Sequence, residues 1–131
     1  MERTNLKVRT KAMNKKECFI VFDFKKNRIR ISKEALYMLG KPAYVHLLVN
    51  PSAGIILLQE SSANNHLSHR VPGSVYGAHN SFELYSKELL QNIFSLINDW
   101  SNGHTYRIHG QPNPSINAIK FPLEDYEEVR K

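Results

Sequence analysis

The chain has 131 residues, 41% of them hydrophobic and 23% charged, which suits one domain with a genuine core and excludes both general disorder and two independent domains of ordinary size. No apolar run approaches the ~20 residues of a membrane helix and the N-terminus has no apolar signal core, so the expectation is a cytoplasmic protein with no membrane partner. The formal net charge of +6 is unevenly spread: residues 1–35 hold eleven Lys and Arg against four acids, and residues 36–131 hold seven against eight.

Residues 1–17 are polar and basic and read as an arm that orders on a polyanion; order is expected from Cys18, making 18–131 a single domain. Cys18 is the only cysteine and lies in the apolar run "CFIVFDF", where a core thiol is expected rather than a nucleophile. "KKN" then reads as a turn in which Asn27 reaches positive φ. "RIRIS" alternates, sending Ile29 and Ile31 inward and Arg28 and Arg30 outward. Ser32 is a good N-cap, Glu34 suits the first turn of the helix, and Gly40 suits its end. "AYVHLLV" and "IILLQ", joined by Asn50-Pro51-Ser52-Ala53-Gly54, read as a hairpin buried on both faces. Residues 61–81 read as a linker.

The second half begins with "FELYS" as a strand. A helix after Ser86 places Leu89, Leu90, Ile93, Phe94, Ile97 and Trp100 on one apolar stripe reaching almost to "SNG", and core is the expected role of that stripe. "TYRIHG" and "NAIKFPL", joined by the turn at Asn113-Pro114-Ser115, read as a last hairpin. "EDYEEVRK" reads as an acidic tail with about one helical turn.

Two phrases recur in the same order. "ISKEAL" and "YSKELL" open the two helices, and Asn-Pro-Ser follows each, 18 residues after Ser32 and 27 after Ser86. The recurrence implies two related halves, 18–60 and 82–123, sharing one core about a rough twofold. The expected fold class is α+β and β-rich.

With the elements placed this way, "NRIRISKEALYMLG" followed by a strand, a turn and "GIILLQE" resembles the AbrB-like (SpoVT-AbrB, swapped-hairpin) DNA-binding domains. Arg28, Ile29, Ile31, Glu34, Leu39, Gly40, Ile56 and Leu58 carry the likeness, over roughly residues 18–60. Asn27 stands where that family has Gly, Ser32 where it has Pro, and "KPAY" where it has Gly-Asp. The resemblance implies a strand-helix-hairpin unit, here duplicated so that one chain closes a barrel-like sheet that the family builds by pairing two copies. The whole chain is also similar to small proteins of clostridial mobile elements, a likeness that carries no implication for function.

The expected function is therefore DNA binding, as a transcriptional regulator of a mobile element or phage. Phosphates would be met by Lys25, Lys26, Arg28 and Arg30 on one edge and by Lys7, Arg9, Lys11, Lys15 and Lys16 on the arm, with Asn27, Arg28 and Arg30 the candidates for base contact. The alternative is an anti-defence protein, either an anti-CRISPR inhibitor covering a nucleic-acid-binding nuclease or a sponge holding a nucleotide signal in a pocket. Pairing of two copies is compatible with either. An enzyme, a metal site and a cofactor are not expected. His66 and His69 lack the cysteine, carboxylate or HExxH context of a ligand set, and there is no GxSxG, phosphate-binding glycine loop or dinucleotide fingerprint. Tyr76, Tyr85, Tyr106 and Trp100 are the aromatics available to stack on a base.

Overall fold

The computed structural model describes residues 17–77 and 81–130. They form a β-rich α+β fold of two five-stranded antiparallel sheets and two short helices. In chain order these are β1 (Phe19–Asp23), β2 (Arg28–Ile31), α1 (Lys33–Met38), β3 (Tyr44–Asn50), β4 (Ile55–Glu60), β5 (His69–Arg70), β6 (Phe82–Leu84), α2 (Lys87–Phe94), β7 (Thr105–His109), β8 (Gln111–Asn113), β9 (Ala118–Pro122) and β10 (Tyr126–Glu128). The first sheet runs β10-β7-β1-β2-β6 and the second β5-β3-β4-β9-β8.

Local signals place the first half well. Asn27 takes φ 55° in the β1–β2 turn and Gly40 takes φ 87° after α1, the left-handed conformations those positions require. Ser32 caps α1 through a bond from the Ala35 N–H, and its Oγ also accepts the Phe19 N–H at 3.0 Å, tying the helix start to β1. Ile29 and Ile31 are fully buried in a core shared by both sheets, with Phe22, Leu36, Ile56, Leu58, Ile93, Ile108, Ile119 and Phe121.

Several expectations are corrected. β3 and β4 are not buried on both faces: inward Val45, Ile56 and Leu58 are fully buried, but Leu48 on the other face is 39% exposed, as in an antiparallel sheet with one solvated side. The stretch expected to be a linker is built into the fold. Val71 and Val75 enter the core, β5 pairs with β3, and the Tyr76 hydroxyl donates to the Pro42 carbonyl at 2.6 Å. α2 stops at Phe94 rather than running on to Trp100. The Ser95 hydroxyl bonds back to the Asn92 carbonyl, and tighter i→i+3 bonds from Leu96 and Ile97 replace the helical ladder. Trp100 still reaches the core, from outside the helix, stacked on Tyr106 at 4.5 Å between ring centroids.

β7 is not the partner of β9. It pairs with β1 and β10 in the first sheet, and the last hairpin is β8–β9 in the second. The chain passes between sheets at Gly110, where an added Cβ would lie 2.6 Å from Ile119 Cγ2 and 2.8 Å from Phe121 Cε1. The acidic tail opens in a 3₁₀ turn, Leu123–Asp125, and goes on as an edge strand that was not expected, Tyr126–Glu128 pairing with β7.

The two Asn-Pro-Ser phrases occupy matching places, the first joining β3 to β4 and the second β8 to β9, with β4 and β9 adjacent. The strands before the two helices differ in phase, because Ile31 before Ser32 is buried whereas Tyr85 before Ser86 is 69% exposed. β7 in the first sheet has no counterpart in the placement of β3.

Candidate nucleic-acid interface

The basic edge is assembled around one acid. Asp23 ends β1, and its Oδ1 accepts the backbone N–H groups of Lys25 and Lys26, both at 3.0 Å, and the Thr105 hydroxyl at 3.2 Å. An Asp at this position gives the turn a side-chain substitute for a backbone acceptor, holding residues 24–27 in one conformation. Its Oδ2 lies 3.4 Å from Arg28 Nε. Burial alone would push this carboxyl up, but the Lys26 and Lys25 N–H groups, Thr105 and Arg28 outweigh it and hold the carboxyl below the ordinary range.

Because Asp23 takes the backbone of the turn inward, the side chains of Lys25 and Lys26 are left in solvent, with Asn27 beside them. They border a cleft of about 530 Å³ that also includes His104, Glu128 and Arg130. His104 Nδ1 is 2.6 Å from Glu128 Oε2, so one wall of the cleft is an imidazole–carboxylate pair.

Arg28 and Arg30 both project from the outer face of β2, as the alternation requires, yet they are not equivalent. Arg28 is 3.1 Å from Glu83 on neighbouring β6 as well as close to Asp23, so its charge is largely consumed inside the protein. Arg30 stands opposite Val21 on one side and Glu83 on the other and has no ion pair among the described residues. Across β1 the same face carries Arg107 and His109, which are not among the contacts expected from the sequence. Arg107 is 2.7 Å from Glu127, which it holds below the usual carboxylate range with help from His109, and its guanidinium lies over the Phe19 ring at 5.5 Å. The strict alternation of "TYRIH" was the signal for this pair; what it could not show is that β7 would lie beside β1.

Lys25, Lys26, Asn27, Arg28 and Arg30 are thus brought together, whereas Lys7, Arg9, Lys11, Lys15 and Lys16 lie outside the described residues. Of the aromatics expected to be available for stacking, Tyr106 and Trp100 are buried against each other and only Tyr85 is widely exposed. His66 is exposed and His69 lies on β5; among the described residues no group of three or more His, Cys, Asp or Glu side chains is placed to hold a metal ion. No helix of the described residues is long and apolar enough to cross a membrane. Comparison of the chain with known protein families, curated proteins and solved structures finds no match.

Proposed function

We propose that this chain is a DNA-binding protein of regulatory type that meets phosphates with the β1–β2 turn and its basic N-terminal residues. The observation that carries the reading is the turn itself, where two solvent-facing lysines are held through their backbone by a buried carboxylate beside an arginine, Arg30, with no ion partner among the described residues. A pre-ordered turn presents its charges without the entropy of ordering them. Duplication of an AbrB-like strand-helix-hairpin unit belongs to the same reading, supported by the matched Asn-Pro-Ser hairpins of the second sheet.

The contacts in this reading are with backbone rather than bases. β1 and β2 are flanked by β7 and β6, and five strands span roughly 19 Å at ~4.8 Å spacing, wider than the ~12 Å of a major groove. The hairpin cannot enter a groove without its neighbours. Lys25, Lys26 and Arg30 are the phosphate contacts, and Arg28 is a positioning residue held by Asp23 and Glu83.

The test is fluorescence anisotropy of the full chain with a random-sequence duplex over a salt series. Lys25→Ala, Lys26→Ala and Arg30→Ala should each lower the salt slope by about one unit, because each lost phosphate contact releases about one counterion fewer. Absence of salt-dependent binding at low ionic strength would refute the reading.

A second reading is favoured by the acids on the same face. Glu83 neutralises Arg28 and Glu127 neutralises Arg107, and such a mixed surface suits a protein partner better than a polyanion. An anti-defence inhibitor covering a nuclease is the form this takes, and pull-down of a nuclease by a chain that ignores DNA would support it.

A further inference from the structure

The two sheets meet through Gly110 on one side and remain open on the other, where β6 edges the first sheet and β5 the second. A groove of about 910 Å³ lies at this seam, within the ~300–1,000 Å³ usual for ligand sites, and residues of both edge strands line it. Val75, Phe82 and Leu84 contribute buried apolar surface, while Arg70 and Tyr85 stand exposed.

The hydrogen-bond phase shows what the edges offer. The Ser32 N–H bonds the Phe19 carbonyl, so in the β1–β2 ladder Arg28 and Arg30 turn their backbone groups toward β1, and Ile29 and Ile31 turn theirs toward β6. In the β2–β6 ladder Ile29 and Ile31 stand opposite Leu84 and Phe82, which leaves the N–H and C=O of Glu83 facing away from the sheet. Tyr85, the residue just past the end of β6, would continue that phase outward. On the opposite wall the Val71 N–H bonds the Ala43 carbonyl, so the backbone groups of Arg70, one residue earlier, also point away from their sheet. Among the described residues, two unpaired edges therefore line one groove.

The other edges are blunted. β8 has Pro112 at its centre, which removes a donor, and β10 carries Glu127 and Glu128. β6 has neither device, since its one charged side chain, Glu83, is taken up by Arg28.

We propose that this seam receives an extended peptide segment of a partner protein, added to the first sheet as a strand beside β6. Backbone bonds to Glu83 and Tyr85 supply affinity, and alternate side chains of the segment meet Val75, Phe82 and Leu84. An acidic side chain is selected by Arg70, which has no ion pair among the described residues. The occupant is distinct from DNA at the β1–β2 turn, and neither proposal depends on the other.

The probe is a capped pentapeptide of alternating valine and threonine with one aspartate, mixed with the full isotope-labelled chain. Amide exchange is followed by NMR. In the free protein the amides of Glu83, Tyr85 and Arg70 should exchange quickly while those of Ile29 and Ile31 are protected. The peptide should slow Glu83 and Tyr85 by at least about tenfold, an N-methylated version should not, and Arg70→Glu should weaken binding by about tenfold. The proposal falls if these amides are already protected in the free chain, if the peptide leaves them unchanged at millimolar concentration, or if N-methylation makes no difference. It also falls if an oligothymidine protects them and the peptide does not.

Discussion

Asp23→Ala should be the most informative single substitution, because one carboxylate both stabilises the fold and shapes the basic turn. The residue is 4% exposed and receives the N–H groups of Lys25 and Lys26, the Thr105 hydroxyl and the nearby Arg28 guanidinium. A hydrogen bond to a charged group contributes about 1.5–3 kcal/mol, but water can replace much of what the two exposed turn residues lose, so the expected net cost is about 2–3 kcal/mol. For a chain of this size that lowers Tm by roughly 8–12 °C. Asp23→Asn keeps an acceptor and loses the ion pair, for about 1 kcal/mol. The carboxyl lies below its unfolded value of about 3.9, so its contribution is fully present above that value and disappears as pH falls through the folded value. Wild type and Asp23→Ala should therefore converge in acid. Urea unfolding followed by the single tryptophan, Trp100, at pH 7 and across pH 5–2 measures this directly. A loss below about 0.5 kcal/mol at pH 7, or a gap that persists in acid, would refute the assignment of Asp23 as the organiser of the turn.

Arg28→Glu should cost about 1–2 kcal/mol by losing two ion pairs and confronting Asp23 and Glu83, whereas Arg30→Glu, which loses no ion pair and faces Glu83 alone across the strands, should cost under about 1 kcal/mol; equal melting of the two variants would contradict the ion-pair arrangement. Gly110→Ala should destabilise by about 1–3 kcal/mol or prevent folding, because its Cβ would meet Ile119, Phe121 and Cys18 at 2.6–3.0 Å; urea midpoints decide. Ser32→Ala should cost more than the ~1 kcal/mol of an ordinary cap, since it also deprives the Phe19 N–H of its acceptor, while Ser86→Ala should cost about 1 kcal/mol. Cys18, pushed up to about 12 by burial, should resist iodoacetamide at pH 8 until the chain is unfolded. With its folded value above the unfolded ~8.5, its destabilising effect should begin as pH rises past the unfolded value, and Cys18→Ala should lack that alkaline slope.

The features legible in the sequence are local ones. Ser32 and Ser86 as caps, positive φ at Asn27, the end of α1 before Gly40, and the inward isoleucines of β2 all follow from conformational preferences acting over four or five residues, and each is found in place. Where α2 would end was less legible, because the apolar stripe through Trp100 fits helical spacing while side-chain competition from Ser95 decides the stop. Which strands become neighbours depends on long-range packing. It placed β7 beside β1, made the acidic tail an edge strand, drew Val71 and Val75 into the core, and left the seam between β5 and β6 unpaired among the described residues. The candidate site shows the difference most sharply. Alternation put Arg28 and Arg30 on one face, but Glu83, 55 residues away, neutralises the first and not the second. Net charge is a sum over composition, whereas free charge depends on which acid the fold brings within ion-pairing distance, and nothing in local sequence carries that information.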